Sequence, residues 1–168
     1  MTLNFKFIVL NSYSMELLAI KEQLSENKEF VDHPDCKQGL LMTIEYYKKI
    51  GFEIPWIGYF ASIDNVLVGS AGFKGKPVNG RVEIAYGTFP QFREKGIGTE
   101  ICKMLVQLSL KTDPSVRICA RTFAQENYSS KILRNNGFEL RGTVIDDEDG
   151  EVWEWEYNET KSILNFRS

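Results

Sequence analysis

The chain reads as a mixed α/β protein, a mostly antiparallel central sheet packed against helices. Three observations predict this. Apolar spacing switches repeatedly between the two-residue and the 3.6-residue kind, and β-rich runs are joined by short turn-forming segments. One such run then passes through a basic, glycine-bearing turn straight into a long amphipathic helix.

Taken in order, Phe5 to Leu10 predicts a first strand, and Ser14 opens an expected helix with Leu17, Ile20 and Leu24 on one side. A polar loop follows. Leu40, Ile44 and Tyr47 mark a second helix that Gly51 terminates. Trp56 to Ser62 and Val66 to Lys74 form a hairpin around Ile63-Asp64-Asn65, and a loop from Gly75 to Gly80 leads to a third run, Val82 to Phe89. Beyond the glycine turn, Ile97, Ile101, Leu105 and Leu108 recur at helical spacing on a helix that Pro114 cannot continue. Val116 to Thr122 is a strand, Asn127 or Ser129 caps a short helix, and Gly137 ends it. Phe138 to Ile145 and Glu151 to Tyr157 make a closing hairpin around Asp146-Asp-Glu-Asp-Gly150. In its second strand Trp153, Trp155 and Tyr157 give an aromatic face expected to be buried, opposite a largely acidic one. The predicted order is β-α-α-β-β-β-α-β-α-β-β, and a sheet splitting between the strand ending at Phe89 and the one beginning at Val116 would leave a wedge.

The 168 residues, 43% hydrophobic, suffice for one core and fall short of two ordinary domains, so one domain over residues 1–168 is expected. No apolar run approaches the roughly 20 residues of a membrane helix, and no signal-like segment opens the chain; a cytoplasmic protein is expected. Cys36, Cys102 and Cys119 lack Cys-x-x-Cys spacing, and His33 has no ligand partners nearby, so no metal is expected. A net charge of −3 argues against nucleic acid as a partner. A monomer or a homodimer is expected.

The richest segment is Thr88-Phe-Pro-Gln-Phe-Arg-Glu-Lys-Gly-Ile-Gly-Thr99. Gly96 and Gly98 permit a sharp bend, so that amides from residue 93 to 99 converge before a helix N-terminus. The helix dipole, Arg93 and Lys95 add positive potential, and a pyrophosphate fits that chemistry. A plain strand-to-helix connection fits the same spacing.

Arg93-Glu94-Lys95-Gly96-Ile97-Gly98 resembles motif A of the GNAT N-acetyltransferase superfamily, Gln/Arg-x-x-Gly-x-Gly/Ala, and Thr88-Phe89-Pro90 matches the apolar-x-Pro step upstream of it. Asn127-Tyr-Ser-Ser130, followed by Gly137-Phe138, is similar to the Asn-x-x-Ser…Gly-Phe signature of the ribosomal-protein-alanine N-acetyltransferase branch. The resemblance covers roughly residues 54 to 158. It implies the GNAT fold, about seven strands split in the middle with about four helices, and acetyl-coenzyme A as co-substrate. It also implies that Arg93 to Thr99 hold the pyrophosphate. Main-chain groups near Tyr86, Gly87, Thr88 and Phe89 would meet the pantetheine arm, with Gly87 suited to a bulge, and so would Asn127. Arg134 stands where many members carry a tyrosine, and would meet a cofactor phosphate or face water.

Acyl transfer to an amine needs an uncharged nucleophile and a proton for the departing thiolate. Deprotonating a free lysine at pH 7 costs roughly 4.6 kcal/mol, whereas an α-amine costs about 1.4 kcal/mol, so an α-amine needs little help. Glu83, on the strand leading to the glycine turn, is the candidate base, directly or through water. Ser130 and Tyr128 are the candidate acids. A solvated glutamate and ordinary helix-start residues are the plainer readings of these positions. Trp56, Tyr59 and Phe60 read as core, and Glu26 to Gly39 as the specificity element on the acceptor side. The preferred acceptor is a protein or peptide N-terminal amine; the rivals are a small amine (amino acid, polyamine or aminoglycoside) and a silent acyl-coenzyme A sensor.

Overall fold

The computed structural model describes residues 4–8 and 14–161, and side chains from residue 14 onward. Eight strands form one sheet in the order β1-β2-β3-β4-β5-β6-β8-β7. They are β1 (Asn4–Ile8), β2 (Ser14–Ala19), β3 (Gly58–Ile63), β4 (Val66–Phe73), β5 (Arg81–Thr88), β6 (Arg117–Phe123), β7 (Phe138–Asp146) and β8 (Gly150–Tyr157). Four α-helices pack on it: α1 (Lys28–Val31), α2 (Lys37–Ile50), α3 (Ile97–Thr112) and α4 (Tyr128–Asn135). Single 3₁₀ turns occupy Leu24–Glu26 and Pro90–Phe92.

The first expected helix is a correction. Ser14–Ala19 is strand, pairing Leu17 with Phe5 of β1 and with Ala61 of β3. Met15 and Leu17 are buried while Ser14 is exposed, which is period two. Met, Glu, Leu and Ala favour helix intrinsically, but two flanking strands outweigh a propensity of tenths of a kcal/mol per residue. Leu24, assigned to the same face, is exposed. This strand raises the count from about seven to eight. The first strand is described only as far as Ile8, so the expected positions 9 and 10 lie outside the described residues.

Elsewhere the expected elements appear within a residue or two. Asp64 and Asn65 both adopt positive φ, the requirement of a tight two-residue hairpin loop. Gly51 and Gly137 end α2 and α4 with positive φ. The core has two faces. Phe60, beneath α2, packs on Phe30 with ring centroids 4.8 Å apart. Ile101, Met104, Leu105 and Leu108 of α3 bury against Val82 and Ile84 on the opposite face. Trp56, Tyr59 and Phe60 are core, as read from sequence. The aromatic face of β8 is covered unevenly: Trp155 is fully buried, Trp153 and Tyr157 only partly.

Candidate active site

The site follows from one register. β5 and β6 pair in parallel from Arg81↔Arg117 to Ile84↔Ala120 and no further. Beyond that point β5 continues to Thr88 bonded only to β4, and β6 continues to Phe123 bonded only to β8. The sheet therefore opens between Ala85–Thr88 and Arg121–Phe123, the wedge the sequence anticipated. β4 pairs with β5 without a register shift through Ser70↔Gly87, so the bulge expected at Gly87 is absent; the sheet's irregularities lie at Ala61/Ser62 and Leu140/Gly142. Regular alternation then puts Glu83, Ala85 and Gly87 on the α2 face and Ile84, Tyr86 and Thr88 on the α3 face.

A different glycine manages the close approach at this strand end. A Cβ on Gly69 would lie 2.4 Å from the carbonyl oxygen of Gly87 and 3.0 Å from Ile101 Cδ1. Sequence reasoning missed it, although a glycine within the run Val66 to Lys74 was a visible signal. The Tyr86 side chain is half-buried on the α3 face. Its hydroxyl is buried without a nitrogen or oxygen partner, beside the Cys102 thiol, and burial raises its pKa, with Cys102 adding to the rise.

At the mouth of the wedge stands the glycine turn. Glu94 has φ 64° and Gly96, the N-cap of α3, has φ 76°, and such alternation curls successive amides toward one point. A Cβ on Gly96 would meet nothing within 4 Å. Helix geometry leaves the first amides of α3 without intrahelical acceptors, and the Glu100 amide bonds back to Gly96 at 3.2 Å. Arg93, Glu94, Lys95 and Gly96 are exposed, while Ile97 and Thr99 are half-buried. This cradle fits a pyrophosphate. Gly98 serves a different purpose, being buried within α3, where a Cβ would sit 2.7 Å from Ile132 Cδ1 and 3.3 Å from Thr88 Oγ1. It lets α3 pack closely on α4 rather than bending the turn.

α4 starts on the other lip. The Asn127 side chain accepts from the Ser130 amide at 3.0 Å and Ser130 Oγ accepts from the Asn127 amide at 2.9 Å, a reciprocal capping box. Ser130 has no exposed surface, and its hydroxyl lies 2.8 Å from the Asn127 carbonyl and 3.0 Å from Glu126 Oε2. Tyr128 is 67% exposed and donates to Glu94 of the glycine turn, which raises its pKa. Arg134 forms a two-pronged pair with Glu126 at 2.6 and 2.7 Å and lies over the Trp155 ring at 4.9 Å. Its side chain is also 47% exposed, so it faces water while paired. Phe89, 8% exposed, faces His33 and Phe60.

Glu83 sits on the α2 face, 18% exposed at its side chain, with Oε1 2.9 Å from Lys74 Nζ and Oε2 4.0 Å from Arg121 Nε. The Lys74 contact is an ion pair without good hydrogen-bond alignment. Burial pulls the Lys74 ammonium down, but the close pairing with Glu83, helped by Asp146, leaves it above its ordinary value. Beside Glu83 opens a cavity of about 170 Å³ lined by Lys74, Arg121, Phe123, Asn127, Asp146 and Asp149 among others. The Glu26 to Gly39 segment carries α1 and is better ordered than a polar loop: Asn27 is buried and bonds Lys21 and Gln23, and Gln91 donates to Asp35 at 2.7 Å.

Residues 23–139 match the model of the acetyltransferase (GNAT) domain. The chain belongs to the GNAT acetyltransferases. It is 32% identical over 125 residues, 68% of this chain and 70% of the other, to the uncharacterised N-acetyltransferase YjdG of Bacillus subtilis (strain 168). Solved structures share the fold. RimL, the ribosomal L7/L12 α-N-protein acetyltransferase, in complex with coenzyme A, aligns with TM-score 0.63 at 17% identity over 90% of this chain and 97% of its own. The aminoglycoside acetyltransferase AAC(6')-Ib with coenzyme A and kanamycin aligns with TM-score 0.64 at 20% identity, over 94% and 100%. The ribosomal-protein-S5-alanine acetyltransferase of Vibrio fischeri aligns with TM-score 0.59 at 14% identity, over 90% and 95%. As a GNAT member the chain is an acyltransferase with acetyl-coenzyme A as co-substrate. No described helix is long and apolar enough to cross a membrane.

Proposed function

We propose that this chain, acting as one N-acetyltransferase domain, acetylates the N-terminal amine of a peptide or protein whose first residue is small. The carrying observation is the cavity beside Glu83. At about 170 Å³ it is smaller than the roughly 300 Å³ at which drug-sized pockets begin, and its lining carries two cations, Lys74 and Arg121, against two carboxylates, Asp146 and Asp149. A balanced lining does not select a polycation, and so small a volume suits a chain end better than an aminoglycoside.

In this reading the Gly96 turn and Arg93 hold the cofactor pyrophosphate, and the main chain at Gly87 and Thr88 with the Asn127 side chain lines the pantetheine arm. The amine nitrogen attacks the thioester carbonyl, the C–N bond forms and the C–S bond breaks. The proton lost by the amine passes to Glu83 through a water, because cations flank both Glu83 oxygens. The thiolate takes a proton from solvent or from Tyr128, the hydroxyl with exposed surface, while Ser130 keeps Asn127 in place. Positioning supplies much of the rate.

Two measurements test this. Calorimetry should show acetyl-coenzyme A bound by the native chain and lost in Arg93→Glu and Gly96→Val. Thiol release should then be fast with hexapeptides bearing N-terminal alanine or serine and slow with kanamycin and spermidine. Fast turnover of kanamycin with inert peptides would refute the acceptor class. Glu83→Gln should lower turnover while leaving cofactor affinity intact.

A further inference from the structure

Six charges cover the α2 face of the sheet between β5 and β7. Arg81 Nη2 lies 2.6 Å from Glu154 Oε1, and Lys74 pairs with Glu83. Arg121 joins the rest: Nη1 is 2.8 Å from Asp146 Oδ2, Nη2 is 3.4 Å from Glu154 Oε2, and Nε is 4.0 Å from Glu83 Oε2. Three cations meet three carboxylates, and Arg121 is the member that reaches all three acids. A planar fork with five donors can do this, and a lysine cannot.

The contact to Asp146 has a second half. Asp146 Oδ1 accepts from the Glu148 amide at 2.9 Å and the Asp149 amide at 3.2 Å, so one carboxylate fastens the β7–β8 turn while its other oxygen is held by Arg121. The turn forms one wall of the cavity through Asp146 and Asp149, and Arg121 with Phe123 forms another. Phe123 is 64% exposed at the open end of β6, where no parallel partner supports it. The ladders hold the base of the hairpin at Phe123↔Val152 and Asp146↔Gly150, and beyond them Arg121 reaches from β6 across β8 to fasten the turn by its side chain. With Arg121 gone, Asp146 still caps the turn and the β6–β8 ladder still holds β8 as far as Val152, but the side-chain hydrogen bond from β6 to the turn is lost.

We infer that Arg121 is a positioning residue for the acceptor: by gripping Asp146 it fixes the β7–β8 turn as the far wall of the acceptor cavity, beside Glu83. Arg121 lines the cavity itself, and it acts on the far wall through the turn. The inference rests on the reading of this cavity as the acceptor site. It goes further by making acceptor binding, rather than cofactor binding, depend on a clamp between two strands.

The test compares Arg121→Gln, Arg121→Lys, Asp146→Asn and the double variant Arg121→Gln/Asp146→Asn in the full chain, with an N-terminal-alanine hexapeptide and with kanamycin as acceptors. The expected result is a rise of about tenfold in peptide KM in each neutralising variant, with kcat within about twofold and acetyl-coenzyme A affinity unchanged. The double variant should be no worse than the poorer single one, since both remove the same link. Arg121→Lys, which keeps a charge for Asp146, should recover part of the loss. Amide hydrogen exchange in the free chain gives a readout independent of any acceptor: the Glu148 and Asp149 amides should exchange faster in Arg121→Gln. A fall in kcat with KM intact, additive losses, or unchanged exchange at the turn would each overturn the clamp. If neither probe is acetylated, the acceptor reading fails, and faster exchange would still uphold the clamp on the turn while unchanged exchange would remove it as well.

Discussion

Two glycines make opposite predictions for the same substitution. At Gly69 an added Cβ would stand 2.4 Å from the Gly87 carbonyl oxygen, a backbone atom held in the β4–β5 ladder at Ser70↔Gly87 and Gly69↔Thr88. No rotamer can relieve that contact, so the strands must separate by about an ångström or the ladder must break locally; overpacking of this kind costs about 1–3 kcal/mol. At Gly39, in the first turn of α2, the new Cβ would touch only Phe60 ring carbons at 3.8 and 3.9 Å, which is ordinary contact. The helix then gains about 0.5–1 kcal/mol from the lost flexibility of glycine. For a chain of this size each kcal/mol moves Tm by about 2–4 °C, so Gly69→Ala should melt about 4–8 °C lower for a loss near 2 kcal/mol, and Gly39→Ala about 1–4 °C higher. Urea titration would report both, with m unchanged. Because Gly87 borders the wedge, Gly69→Ala should also weaken acetyl-coenzyme A binding, and Gly39→Ala should not. A Gly69→Ala protein as stable as the native one would show that close strand contact is not why glycine stands there.

Three further outcomes follow from the site. Asn127→Ala should cost about 1 kcal/mol in a melt by removing the cap of α4, whereas Asn127→Ser keeps a capping oxygen; acetyl-coenzyme A affinity that falls in the serine variant too would separate a pantetheine contact from the cap. The amides of Glu148 and Asp149 first, then Arg121, hold the Asp146 carboxyl down at about 2. Its stabilising effect is therefore complete above the unfolded value near 3.9 and lost as pH falls toward 2, so the Tm gap between native and Asp146→Asn proteins should narrow over that interval. Burial pushes the Cys36 thiol up to about 12 and Cys119 to about 11, and raises Cys102 as well. An aromatic disulfide reagent near pH 8 should label none of the three before unfolding, and rapid labelling of the native chain would contradict this burial.

The sequence made legible those parts of the site that backbone chemistry dictates. A Gly at φ 76° before a helix, an Asn capping the next one and Asp64-Asn65 at a hairpin each announce a local geometry in one or two residues. What it hid was decided across the sheet. Ser14–Ala19 carries helix formers and a period that also suits a strand, and only the neighbours β1 and β3 settle it. Gly98 looks like a loop glycine until Ile132 is placed against it, and Ser130 looks like an acid until its hydroxyl is found inside a capping box. Arg121 had no local signal at all: its three acids lie 25 to 38 residues away along the chain.

The wedge and the anion cradle share one cause. β5 and β6 form the parallel pair of the described sheet, and a parallel neighbour can be reached only by a crossover, here α3. That crossover brings the N-terminus of α3 to the carboxyl end of β5, where a ligand-binding crevice opens in an open sheet once neighbouring strands diverge. Divergence is enforced from both sides, since β5 stays with β4 and β6 stays with β8 through Phe123↔Val152. In the proposed reading the cradle would hold the cofactor's phosphates, and Glu83 and the small cavity lie on the α2 face of the same opening. Shortening the β6–β8 ladder, by Val152→Pro, should loosen the rim and weaken acceptor and cofactor binding together. Loss of acceptor binding alone would mean that the cavity and the wedge are independent sites, and the single-unit account would then fail.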